Sequence, residues 1–245
     1  MSTHFHIIIP ARYQSTRFPG KLLMDLNGMT VLERVYRQAL LAQAQSVVIA
    51  TDNAEIATHA AHFGAKVIMT APTHQSGTDR IAEVVAKERF ADDAIVVNVQ
   101  GDEPFIAPEL ITQVAKSLAN SQAPMATLCW PIESSEQLYN PNVVKVVRTA
   151  DEHALYFSRS PIPYDRHNQH SFANAFRHIG LYAYRANFLL DYVTWPVSEL
   201  EALEGLEQLR VLERGMGIKV EQACVAPQQD INTEEDLAAA LSLTS

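Results

Sequence analysis

The sequence predicts an α/β fold of three layers, with a mostly parallel central sheet between helices and a partly antiparallel region later in the chain. Three observations carry this. Short, β-branched, nearly continuous apolar runs recur through the first hundred of 245 residues, as strands buried on both faces do. Amphipathic stretches of helical length separate them. Further along, strand-like runs are spaced by Pro-rich loops instead, which breaks the parallel rhythm.

The expected strands are FHIII (5–9), SVVIAT (46–51), AKVIMT (65–70) and AIVVNV (94–99). Between the first two, 30–42 opens with Thr30 and Glu33 in capping-box spacing and puts Leu32, Val35, Ala39 and Leu40 on one stripe. DNAEIATHAAHFG (52–64) starts with a cap residue and stops at Gly64, and GTDRIAEVVAKERF (77–90) repeats the scheme. The βαβαβαβ order implies right-handed crossovers and helices on both faces. MATLCWPI (125–132), NVVKVVRT (142–149) and FRHIGLYAYR (176–185) are read as the partly antiparallel region, an insertion carrying substrate or dimer contacts. Leucines at 200, 203, 206, 209 and 212 recur every third residue. At about 100° per residue they cannot form one narrow stripe. The segment is therefore buried on most sides or breaks near Gly205 into two helices. A strand (218–225) and a capped helix (232–242) close a single domain, 1–245.

The formal charge is −9, from 19 Lys and Arg against 28 Asp and Glu. That excludes nucleic acid as a bulk partner, because backbone-phosphate affinity needs clustered cations. One local cluster exists nonetheless. Arg12, Arg17 and Lys21 follow the first strand, and no acid lies between Pro10 and Met24. Loops at the carboxyl ends of strands are where open α/β sheets bind ligands. Small residues there (Ala11, Ser15, Gly20) allow close backbone approach. Two guanidiniums and an ammonium suit a triphosphate; a solvated basic loop is the other reading. The Walker A spacing and the Gly-x-Gly-x-x-Gly fingerprint are both absent.

VNVQGDEP ends the fourth strand and sets Asp102 just beyond it. In a parallel sheet Asp102 faces the same cleft as Arg12 and Lys21. A carboxylate beside bound phosphates implies an intervening cation, and magnesium (Mg2+) takes one or two carboxylates plus phosphate oxygens. The competing role is a cap or turn. Cys129 and Cys224 have no motif spacing, and the His59/His62 and His167/His170 pairs lack a third ligand for zinc. MSTHFHIII has no basic region or long apolar segment, and no run approaches the roughly 20 apolar residues of a membrane span. The expectation is a cytoplasmic protein without membrane contact.

Eight segments now form a pattern: IIIPARYQSTRFPGKLL, TDNAEIA, HQSGTDRIAEVV, VNVQGDEP, NPNVVKVV, ALYFSRSPIP, RHIGLYAYR and LEQLRVLE. Together, over about residues 5–240, they resemble the 3-deoxy-manno-octulosonate (Kdo) cytidylyltransferases, which are sugar nucleotidyltransferases with a Rossmann-like fold. The basic loop is shared among many sugar nucleotidyltransferases; the middle and late segments are more specific. The resemblance implies CTP and Kdo as substrates, Mg2+ as cofactor, a homodimer, and a place in lipopolysaccharide synthesis. It implies that about 121–200 contribute the sugar-binding and dimer-forming region. By it, Arg12, Lys21 and Asp102 are catalytic. Ala11, Arg12, Arg17, Lys21, Ser76 and Gly77 bind the nucleotide. Gln100, His178, Tyr182, Glu207, Gln208 and Arg159 line the sugar site, Arg159 offsetting the sugar's carboxylate.

One departure stands out. The family pattern near the C-terminus is Val-Asp-Thr-Pro-Glu-Asp-Leu, whose first Asp is a metal ligand. Here QQDINTEEDL puts Asn232 at that position and Asp230 two residues earlier. Asn232 binds the metal through its carbonyl oxygen, or Asp230 reaches in, or Asn232 only caps the helix and a metal is lost. Thr233 and Asp236 already supply a cap, which favours Asn232 near the metal. Two rival functions remain: transfer to another acidic sugar (sialic acid or 8-amino-Kdo), and a non-catalytic nucleotide-binding module.

Overall fold

The computed structural model describes residues 3–13, 18, 20–168, 172–228, 231, 233, 236, 237 and 241. In chain order the strands and helices begin β1 (Phe5–Ala11), α1 (Val31–Leu41), β2 (Ser46–Thr51), α2 (Ala54–His62), β3 (Lys66–Met69), α3 (Gly77–Glu88) and β4 (Ile95–Asn98). They continue α4 (Pro108–Ala119), β5 (Met125–Pro131), α5 (Ser135–Tyr139), β6 (Lys145–Arg148), β7 (Ala154–Ser158) and β8 (Phe176–Arg185). The last are α6 (Ala186–Tyr192), α7 (Glu199–Glu204), α8 (Leu209–Glu213) and β9 (Ile218–Gln222). A 3-10 turn, Lys21–Leu23, follows β1.

The sheet runs β3-β2-β1-β4-β8-β5-β9, with β6 and β7 paired beside β8. β1 to β4 are parallel. β8 is antiparallel to both β4 and β5, so β5 points the same way as β4, and β9 is parallel to β5. This corrects one expectation: the antiparallel strand is not confined to an insertion but sits inside the main sheet, between two parallel halves. Only β6 and β7 leave the main path.

Alternation along β1 explains the layers. Ile7 and Ile9 enter a core with Val35 of α1, Ile56 of α2 and Leu110 of α4. Ile8 points to the opposite face, where it joins Ile81 of α3, Phe188 of α6 and Val211 of α8. Period two makes a strand do this, and burying each Ile side chain contributes about 1.5–3 kcal/mol.

The caps are mostly as expected. Asn53 caps α2, and Gly64 ends that segment at φ 79°, where a side chain would be strained. At α1 only half of the capping box forms. The Thr30 hydroxyl accepts from Glu33 N, but the Glu33 carboxylate turns to Arg37, 2.6 Å away. The leucine-rich segment breaks at Gly205, φ 63°, into α7 and α8. The closing strand ends at Gln222, short of the expected 225. Most of the closing helix lies outside the described residues; Thr233 and Asp236 exchange the bonds of its cap. Helix α4 is not among the expected elements, although Leu110, Ile111, Val114 and Leu118 hold helical spacing. Among the described residues no helix is long and apolar enough to cross a membrane.

Candidate active site

From β1 the chain moves outward through β2 to β3, then returns to the other side of β1 as β4. The crevice where the order reverses is the ligand position of open α/β sheets. A cavity of about 460 Å³ opens there, lined by Arg12 after β1 and by Gln100 and Asp102 after β4.

Two glycines shape its rim. Gly20 takes φ 73°, starting the turn that carries Lys21. At Gly101 a Cβ would lie 3.1 Å from the Pro10 carbonyl oxygen, so the loop after β4 lies directly on β1. The result is contact: Lys21 Nζ donates to Asp102 Oδ2 at 2.5 Å. The same ammonium donates to the Ile231 carbonyl at 3.0 Å, and Ile231 N donates to the Asp102 carbonyl at 3.2 Å. Three distant segments meet at one ammonium.

The N-terminus of α3 forms a second wall. Ser76 and Asp79 make a full capping box, and Ser76, Gly77 and Thr78 line the cavity. Thr78 Oγ1 donates to Glu207 Oε2 at 2.8 Å. Glu207 sits in the connection between α7 and α8, and Tyr192 donates its hydroxyl to the Glu207 carbonyl at 2.9 Å. Burial pushes the Glu207 carboxyl above the usual carboxylate range, while the Thr78 bond pulls the other way. Behind this wall Glu201 and Arg210 pair at 2.5 Å, both side chains nearly buried, which holds α7 against α8.

Two amide atoms on the cavity wall are buried with no protein partner among the described residues: Asn98 Oδ1 and Gln208 Nε2. A buried polar atom without a partner costs about 1–3 kcal/mol, so a polar ligand that met both would recover that loss. His178 and Tyr182 of β8 complete the lining, with ring centroids 5.2 Å apart. Burial lowers the His178 imidazole to about 3 and raises the Tyr182 phenol well above its ordinary value. Both are therefore neutral near pH 7.

Arg12, Ser76, Gly77, Gln100, Asp102, His178, Tyr182, Glu207 and Gln208 thus share one cavity. Ala11 is buried at the end of β1, beside Arg12. Lys21 joins the cavity through its bond to Asp102, and Arg159 does not line it. Its guanidinium donates to the carbonyls of Glu204 at 2.6 Å and Pro141 at 2.9 Å, so its donors brace the α7–α8 break instead of facing the cavity. Arg17, Asp230 and Asn232 lie outside the described residues. Sequence reasoning missed Thr78, Asn98, Tyr184 and Tyr192. Asn98 had a signal: a polar residue inside the apolar end of AIVVNV. Tyr192 had none, because its role depends on where α6 packs.

The cytidylyltransferase family model matches residues 6–219. A 3-deoxy-manno-octulosonate cytidylyltransferase of Legionella pneumophila (strain Lens) is 66% identical over 97% of this chain and 95% of its own. One from Vibrio vulnificus (strain YJ016) is 54% identical over 95% of each. The solved structure of a CMP:2-keto-3-deoxy-manno-octonic acid synthetase complexed with CTP superposes with a TM-score of 0.92, at 40% identity and 98% coverage of both chains. With the family model matched over most of its length and relatives matched over nearly all of theirs, the chain belongs to the 3-deoxy-manno-octulosonate cytidylyltransferases.

Proposed function

We infer that this protein transfers CMP from CTP to the anomeric hydroxyl of 3-deoxy-D-manno-octulosonate, releasing pyrophosphate. The observation that supports it most is the contact of Lys21 with Asp102 at the rim of a cavity that Arg12 also lines. The sugar oxygen bonds to the α-phosphorus and gives up its proton to solvent water. The bond from that phosphorus to the bridging oxygen breaks, and pyrophosphate leaves with the electron pair.

In such transfers a protein mainly positions groups and neutralises charge. Arg12 and Lys21, with Arg17, hold the triphosphate and stabilise the departing pyrophosphate. Ala11, Ser76 and Gly77 present main-chain groups to the cytosine edge. Gln100, His178, Tyr182, Glu207 and Gln208 hold the sugar. Arg159 acts one step back, fixing the turn from which Glu207 and Gln208 project.

The donor set fits Mg2+. The ion takes one or two carboxylates and fills its octahedron with phosphate oxygens and water. Asp102 offers such a carboxylate at the cavity rim, and among the described residues no three acidic, imidazole or thiol side chains form a cage. Asp102 would hold the ion, with Asn232 its neighbour in this reading; bound there, it would supply charge neutralisation and lower the pKa of the attacking hydroxyl. Asn232 and Asp230 flank Ile231 in the chain, and Ile231 is tied to both Lys21 and Asp102.

The protein works as a homodimer. Region 121–200, which carries β8, also exposes Leu155 and Tyr164, 59% and 71% accessible, as an interface would. Light scattering that returns the mass of one chain excludes this. The reaction is tested by following pyrophosphate with CTP, Mg2+ and either Kdo or sialic acid. Release with Kdo alone is expected, falling at least about 100-fold in Asp102→Asn. Release with neither sugar overturns the reading, and release with sialic acid alone reassigns the substrate.

A further inference from the structure

Strand β8 holds two rings closer than a strand can. His178 and Tyr182 are four residues apart, which in regular extended chain is about 13 Å. Their ring centroids are 5.2 Å apart. The pairing with β5 accounts for this. Thr127 faces Tyr182, and the next residue, Leu128, faces Ile179. One step along β5 thus corresponds to three along β8, and Gly180 and Leu181 are left unmatched in a bulge. Leu181 turns into the core, and Gly180 lines the cavity.

Thr127 sits inside that bulge, fully buried. Its Oγ1 lies 2.9 Å from the Ile179 carbonyl, 2.8 Å from the Leu181 carbonyl and 3.0 Å from His178 Nε2. A threonine hydroxyl has one proton and two lone pairs. Both carbonyls can only accept, so the proton is shared between them. Giving it to the imidazole would strip both carbonyls of this bond. The face turned to His178 is therefore a lone pair, and two acceptors do not meet at 3.0 Å. Nε2 must carry a hydrogen and donate it. Nδ1 is then a bare acceptor, and no described residue donates to it. Phe157 packs edge-on against the same ring, centroids 5.2 Å apart, and limits its rotation.

We propose that Thr127 is a positioning residue: its buried hydroxyl closes the β8 bulge and fixes His178 as the Nε2–H tautomer, so that Nδ1 accepts a hydrogen bond from a sugar hydroxyl. This rests on the reading of His178 as a sugar contact. Burial supports it, since a ring held to about 3 stays neutral, whereas a protonated ring would have no acceptor to offer.

The test uses full-length protein with 15N-labelled histidine and long-range proton–nitrogen correlation, the His178 signals being identified by their loss in His178→Gln. The parent is expected to show the Nε2–H pattern, and Thr127→Ser to keep it. Thr127→Val, which keeps the branched shape without the hydroxyl, is expected to show mixed tautomers. Its KM for Kdo rises about 10-fold, the worth of one hydrogen bond, with KM for CTP within about twofold. An Nδ1–H pattern in the parent overturns the proposal, and that reading needs no variant to fold. An unchanged tautomer and KM in Thr127→Val overturns it as well. If His178→Gln leaves the KM for Kdo unchanged, the sugar-contact reading fails and takes the functional half of the proposal with it, whatever the tautomer.

Discussion

Gly101→Ala tests the packing that brings Asp102 to the cation loop. The added methyl would sit 3.1 Å from the Pro10 carbonyl oxygen and 3.5 Å from Leu22. Pro10 belongs to β1 and pairs there with Ala50 of β2, in the middle of the sheet, so it resists displacement. The loop after β4 must shift instead, by a few tenths of an ångström. Overpacking of this kind costs about 1–3 kcal/mol. At this chain length each kcal/mol lowers Tm by roughly 2–4 °C. The functional loss follows from the displacement of Asp102. If a shift of about 1 Å costs about 100-fold, a few tenths cost roughly 4- to 10-fold in kcat/KM. Thermal unfolding and pyrophosphate release measure the two effects, and the Mg2+ concentration for half-maximal rate should rise with them. A variant with Tm within about 1 °C and kcat/KM within about twofold of the parent would refute the claim that close loop-to-strand contact sets the Asp102 position.

Two further outcomes are expected. Asn232→Asp adds a charge where the family pattern has one and should lower the Mg2+ concentration needed for half-maximal rate; an unchanged or higher requirement counts against Asn232 as the metal's neighbour. His178 titrates at about 3 in the fold against 6.5 for the free side chain. The folded value is depressed, so the unfolded chain binds more protons between those limits, and stability is lost as pH falls below about 6.5. At pH 5 that amounts to roughly 2 kcal/mol, about 1.4 kcal/mol per unit over 1.5 units. Denaturant unfolding at pH 7.5 and pH 5 should show His178→Gln losing less stability than the parent, and equal losses would place the ring in water.

Much of this was legible in the residues. The four parallel strands announce themselves because burial on both faces makes them continuously apolar, as SVVIAT over β2 shows. Once they are parallel, geometry forces Arg12 and Asp102 to the same end of the sheet. The place of β8 was not legible, because RHIGLYAYR is equally apolar whether it runs inside the main sheet or beside it. Its bulge was hidden for another reason: it depends on Thr127, which is fifty-one residues from His178 in the chain. Arg159 shows a different limit. Its charge suggested a ligand for a carboxylate, and neighbouring main-chain carbonyls compete for its donors. A sequence displays charge, but not which oxygen will be closest.

The bond between Lys21 and Ile231 joins residues 210 positions apart. While the chain is being made, the first four strands can pair and the cation loop can emerge long before its last partner exists. Local contacts form early and distant ones late, because closing a long loop must precede any gain from it. The pocket is therefore among the final parts to be finished, and a chain stalled some twenty residues short could carry nearly every strand and helix of the fold while its rim stays unlatched.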